Sequence, residues 1–151
     1  MKFWIFLIFG VLIAYGSLYP FHFTVPQPHD AAWMALFHNW SMFTNKADVL
    51  GNIALFIPFG GAGVFAIGQR AGMPVRIAAI TLLSLVLALV LQVAQIYVPE
   101  RSASLADVIW NMVGTAAGIL GAVLAGGHLR ESFLAIRGDD HLGADQFQEL
   151  P

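Results

Sequence analysis

The chain has 151 residues, 58% of them hydrophobic and only 11% charged. A soluble domain carries about 25% charged residues, so this deficit reads as a membrane protein. The net charge of −2 offers no basic face to nucleic acid, and the lack of cysteine excludes disulfides, thiol catalysis and Cys-ligated metals.

Residues 3–19 form an apolar run behind Lys2. About 20 apolar residues span a bilayer, so this run is just long enough. Lys2, the run and Ala14-Tyr-Gly16 also imitate the three regions of a signal peptide. The aromatic continuation through Leu18, Tyr19 and Phe21 suits a retained helix ending in an aromatic belt.

Residues 20–47 form a mixed connection, extended at first by Pro20, Pro26 and Pro28. Asp30 is a candidate N-cap for a helix over residues 31–43, with Trp33, Leu36, Phe37 and Trp40 on one face. Such a helix either lies in the membrane interface or covers the protein's own outer surface.

The second span covers residues 49–67, with Pro58 inside it as an expected kink. The third begins at Arg76 or Ile77 and ends at Val98, and Gln92 and Gln95 are its only amides, sharing one face. Residues 99–102 make a tight loop. The fourth span covers residues 105–126, with Gly114, Gly118, Gly121 and Ala125 as a small-residue stripe that admits another helix closely. That stripe also allows a homodimer. From His128 the chain turns polar and ends acidic. It reads as a disordered tail over residues 127–151, with room for a short interfacial helix near residues 129–136.

The expected fold is therefore all-α: a domain of four transmembrane helices over residues 1–126, then a cytoplasmic tail. With four spans, Lys2, Arg70, Arg76, Arg130 and Arg137 share one side, and Lys46 and Arg101 the other. The positive-inside rule then puts both termini in the cytoplasm. Asp48, Asn52, Gln95, Arg101, Asp107 and Asn111 gather near the outer face.

The second and fourth spans open alike, with Asp48-Val-Leu-Gly-Asn52 and Asp107-Val-Ile-Trp-Asn111. Each acid and amide share a helix face, the amide roughly 6 Å deeper. The match suggests two helical hairpins repeated about an axis along the membrane normal, with a site between them. Each acid has a plain alternative as a helix cap, and each amide as glue between helices. Arg101 is either paired with Asp48 or Asp107, or free to bind phosphate. His22, His29 and His38 with Asp30 match no metal motif, and solvated histidines are the simpler reading. No Ser–His–acid set, glycine-rich phosphate loop, HExxH or cofactor motif is present.

Ser17-Leu-Tyr-Pro-Phe-His-Phe23, Asp48-Val-Leu-Gly-Asn-Ile-Ala-Leu-Phe-Ile-Pro-Phe-Gly60, Gln95 through Pro-Glu-Arg101, and Leu105-Ala-Asp-Val-Ile-Trp-Asn-Met-Val-Gly114 resemble the VanZ-like family of small bacterial integral membrane proteins. The resemblance runs from Ser17 to Gly121. The family pattern usually places a glutamate where this chain has Gln92, which weakens any transfer of proton or metal chemistry. The family is named for a protein linked to teicoplanin resistance, so the resemblance implies a bacterial envelope setting and leaves the reaction open.

The expected function is a non-enzymatic protein of the bacterial inner membrane. Its outward polar cleft, built from Asp48, Asn52, Gln92, Gln95, Arg101, Asp107 and Asn111, would engage a membrane lipid, a lipid-linked cell-wall precursor or a glycopeptide, with a possible link to antibiotic resistance. One alternative is an enzyme acting on a lipid-linked phosphate with Asp107 as base or metal ligand. The other is a structural or partner-binding protein whose polar residues are helix glue.

Overall fold

The structure is a computed structural model describing residues 1–26, 28, 33, 34, 36, 37, 46–67 and 71–146, with side chains described as far as residue 127. Among the described residues it contains four long helices: α1 (Lys2–Leu18), α2 (Lys46–Ala66), α3 (Met73–Gln95) and α4 (Leu105–Gln146). No strand occurs among the described residues. The segments Lys46–Ala66, Met73–Gln95 and Leu105–Gly127 are each long and apolar enough to cross a membrane, whereas α1, at 17 residues, is shorter. Their outward faces are apolar, as Ile8, Val11, Leu82, Val86, Val90, Leu120 and Leu124 show. Water would oppose such a surface, and lipid accepts it. The chain is a multi-pass membrane protein.

The bundle interior has two layers. Ile13, Phe56, Phe59, Ala88, Leu91 and Val108 pack together in one. Val64, Ile80, Ile119 and Ala122 form the other. Phe6 borders both, with its ring centroid 4.4 Å from that of Phe59.

The closest helix pair is α2 with α4. A Cβ built on Gly114 would strike the Ile53 carbonyl, and one on Gly118 the Ile57 carbonyl. From the other side, a Cβ on Gly60 would strike the Thr115 backbone, and one on Gly61 would come 3.3 Å from the Gly118 carbonyl. Residue numbers rise together along this contact, so the two helices run parallel and begin at the same end. Only half of the expected stripe is used here: nothing lies within 4 Å of a Cβ at Gly121, and Ala125 is exposed. Gly63 serves α3 instead, leaving room for Ile80.

Several boundaries differ from expectation, among them the start of α2, at Lys46 and not residue 49. α3 starts at Met73, because Pro74 fits a first turn that has no use for its N–H, and it ends at Gln95 in a turn. α4 does not stop at Gly126 but continues to Gln146. Glycine costs a helix only about 1 kcal/mol, and the strong formers Leu129, Arg130, Glu131, Leu134 and Ala135 follow. α2 runs unbroken through Pro58. Most of the expected helix over residues 31–43 lies outside the described residues, as do His29, Asp30 and His38; Trp33, Met34, Leu36 and Phe37 are helical, and Leu36 is buried.

The glycine contact predicts a sharp positional contrast. Gly118→Ala and Gly114→Ala should each lower stability by about 1–3 kcal/mol through overpacking. Gly121→Ala, which meets open space, should leave the unfolding temperature no lower and raise it slightly through helix propensity. Thermal unfolding of the detergent-solubilised protein measures all three.

Candidate functional site

At the end of α1, helix geometry leaves carbonyls without intrahelical donors. All of them find partners. The Tyr15 and Leu18 carbonyls accept from the Tyr19 and Phe21 amides at 3.0 and 2.8 Å. The Ser17 carbonyl accepts from Gln95 Nε2 at 3.0 Å. The Gly16 carbonyl accepts from Arg101 Nη2, and the Tyr19 carbonyl from Arg101 Nε at 2.9 Å. A cation at a helix C-terminus also suits the helix dipole. Arg101 thus does not take the expected ion pair with Asp48 or Asp107. It caps α1, and among the described residues no carboxylate is in ion-pair contact with it.

The loop that carries Arg101 is pinned from outside. His22 Nδ1 and Glu100 Oε1 lie 2.9 Å apart, and the Thr24 amide donates to the Tyr97 carbonyl at 2.8 Å. Backbone bonds from Val98 to Gln95 and from Arg101 to Val98, 3.0 and 2.9 Å long, wind it tightly onto the end of α3.

The cap of α4 is Ser104, whose Oγ accepts from the Ala106 amide at 3.2 Å. Its own amide donates to Gln92 Oε1 at 2.7 Å. Gln92 is buried in α3 and turns its amide nitrogen to Asp107, which also receives a hydrogen bond from Asn52. The cap assigned to Asp107 therefore belongs to Ser104. The Ser104-x-x-Asp107 spacing of a capping box was visible in the sequence and marks this helix start. Asp48 lies in the first turn of α2, exposed, and close enough for its charge to act on Asp107.

These groups border one cleft of about 290 Å³ at the end of the bundle. Asp48, Asn52, Gln95, Arg101 and Asp107, five of the seven residues singled out from the sequence, line it. Glu100 also lines it and was not singled out; its neighbour Arg101 was the stronger signal. Gln92 and Asn111 are not in the lining. Gln92 works as glue between α3 and the start of α4. Asn111 is buried one turn below Asp107, and its Oδ1 has no partner. Gln95 Oε1 is likewise buried and unpartnered. Among the described residues no three His, Asp or Glu side chains gather at metal-binding spacing. The cleft is rich in acceptors, with the remaining N–H groups of Arg101 as its charged donors.

The chain belongs to the VanZ/LLP1 family, whose profile matches residues 3–126. No curated protein and no solved structure matches it.

Two outcomes follow from this geometry. Gln92→Leu takes this acceptor from the Ser104 amide and one of two side-chain donors from the Asp107 carboxyl. At about 1–3 kcal/mol for an orphaned buried group, it should lower the unfolding temperature more than Gln92→Glu, which keeps the Ser104 acceptor. The hydrogen bond from His22 holds the Glu100 carboxyl below the usual carboxylate range. The small stability this lends is present above the ordinary glutamate value and fades as pH falls through the lowered one. Carboxyl NMR of the Glu100 side chain should show a depressed titration that His22→Ala moves back toward the ordinary value.

Proposed function

We propose that this chain holds the polar headgroup of a membrane lipid, or of a lipid-linked cell-wall precursor, in the cleft at the end of its bundle, without catalysing a reaction on it. The observation that carries this reading is the cleft itself. A cavity of about 290 Å³ with a largely polar lining opens at one end of an otherwise apolar bundle. Small-molecule sites begin at roughly 300 Å³, so it suits a headgroup better than a whole lipid. Acids and amides are costly at the edge of a membrane, and a ligand is a reason to keep them there.

In this reading the Arg101 donors not engaged by α1 take an anionic oxygen of the headgroup, while Asp48, Asp107 and Asn52 take its donor groups. The cleft opens to the outside of the bacterial inner membrane and both termini are cytoplasmic. The support is the cation count of the sequence, which puts Lys2, Arg70, Arg76, Arg130 and Arg137 on the side of the termini and only Lys46 and Arg101 on the side of the cleft. A lipid-linked precursor at that surface would connect the protein to resistance against glycopeptides such as teicoplanin, which target the same molecules.

Arg101→Ala is a poor test, because it also uncaps α1. Arg101→Lys and Asp48→Asn are better. Native mass spectrometry of the purified protein should find a defined lipid on the parent chain. Charge-assisted hydrogen bonds of about 1.5–3 kcal/mol imply occupancy reduced about tenfold or more in the variants. No retained lipid on the parent chain, or equal retention by all three proteins, would overturn the reading.

A further inference from the structure

The cleft's charges and its unmet acceptor narrow the class of headgroup. Its lining has three carboxyls, Asp48, Glu100 and Asp107, against one guanidinium, Arg101. Glu100 is already bonded to His22, and two Arg101 nitrogens serve α1. That leaves Asp48 and Asp107 in one lining with no cation in ion-pair contact among the described residues. The second observation is independent of charge. Gln95 lines the cleft, is only 9% exposed, and its Oε1 has no partner. The orientation of this amide is not arbitrary, since only its nitrogen can donate to the Ser17 carbonyl. A buried acceptor without a donor is the exception in native proteins and asks for a partner.

Resting on the headgroup reading above, we propose that the cleft takes a protonated primary amine beside a phosphate, the headgroup chemistry of an aminophospholipid. A phosphate alone brings further acceptors and negative charge to Asp48, Asp107 and Gln95 Oε1. A quaternary ammonium brings charge but no N–H. A sugar hydroxyl brings a donor but leaves the carboxyls uncompensated. An ammonium brings positive charge and several donors at once, enough for the two carboxyls and the Gln95 carbonyl together. The phosphate that follows it then meets the open side of the Arg101 guanidinium.

The test uses the full chain in detergent and native mass spectrometry. The probes are phosphatidylethanolamine, its N-acetylated form, phosphatidylcholine and phosphatidylglycerol, all with the same acyl chains. The expected result is phosphatidylethanolamine retained about tenfold over the other three, with the preference lost in Asp48→Asn. Asp48 is exposed, so that variant should fold normally. Glycerophosphoethanolamine competing as well as the intact lipid would support the amine and give it a soluble source; failure to compete would support the lipid source. Equal retention of all four lipids would leave a headgroup cleft and overturn the amine. Preference for phosphatidylglycerol would do the same. Retention of none would overturn the headgroup reading itself.

Discussion

The structure depends on the backbone contact between α2 and α4. Gly60, Gly114 and Gly118 let the two main chains approach so closely that a single methyl group at any of them would meet backbone. In lipid no hydrophobic force pushes helices together, and close packing has to do it. Such a contact has little slack along the helix axis, because each glycine fits one carbonyl. It therefore sets the relative height of everything carried above it. Asp48 and Asp107 come to the same level, and Asn52 reaches the Asp107 carboxyl, because the register below them allows nothing else.

α1 is held differently. It is the shortest of the four and relies on the Phe6, Phe9 and Ile13 side chains packed against the bundle. At its C-terminal end the attachment is polar, through the Gly16, Ser17 and Tyr19 carbonyls that Gln95 and Arg101 satisfy. The groups that border the cleft are therefore also the groups that close the bundle. A cleft built this way is rigid before any ligand arrives, which lowers the entropic cost of binding. It also means that deleting Arg101 or Gln95 tests structure and binding together, whereas exposed Asp48 can be changed alone.

Much of the site could be read in advance. Asp48, Asn52, Gln95, Arg101 and Asp107 were grouped because alternating helix direction sends them all to one end, and they line one cleft. What was missed has a common cause. Partners that are backbone atoms leave no trace in residue identity, so nothing in Gly16-Ser-Leu-Tyr19 announces that its carbonyls need donors. For the same reason Gln92 looked like a cleft residue. Its position on the Gln95 face was visible, but its engagement by the Ser104 amide depends on how the loop of residues 96–104 folds back.

Composition and hydropathy by themselves determined that the chain is an all-helical membrane protein, where its apolar helices lie, and which end gathers the polar residues. Those properties follow from local spacing and from the mismatch between charge and lipid, which are one-dimensional. The motifs likewise pointed to the family. Tertiary structure alone decided which half of the glycine stripe is a contact and which half is bare. It alone decided that Ser104 caps α4, that Arg101 serves α1, and that Gln95 Oε1 is buried without a donor. Each of these is a choice between partners of equal chemistry, and only the distance between elements far apart in the chain selects one.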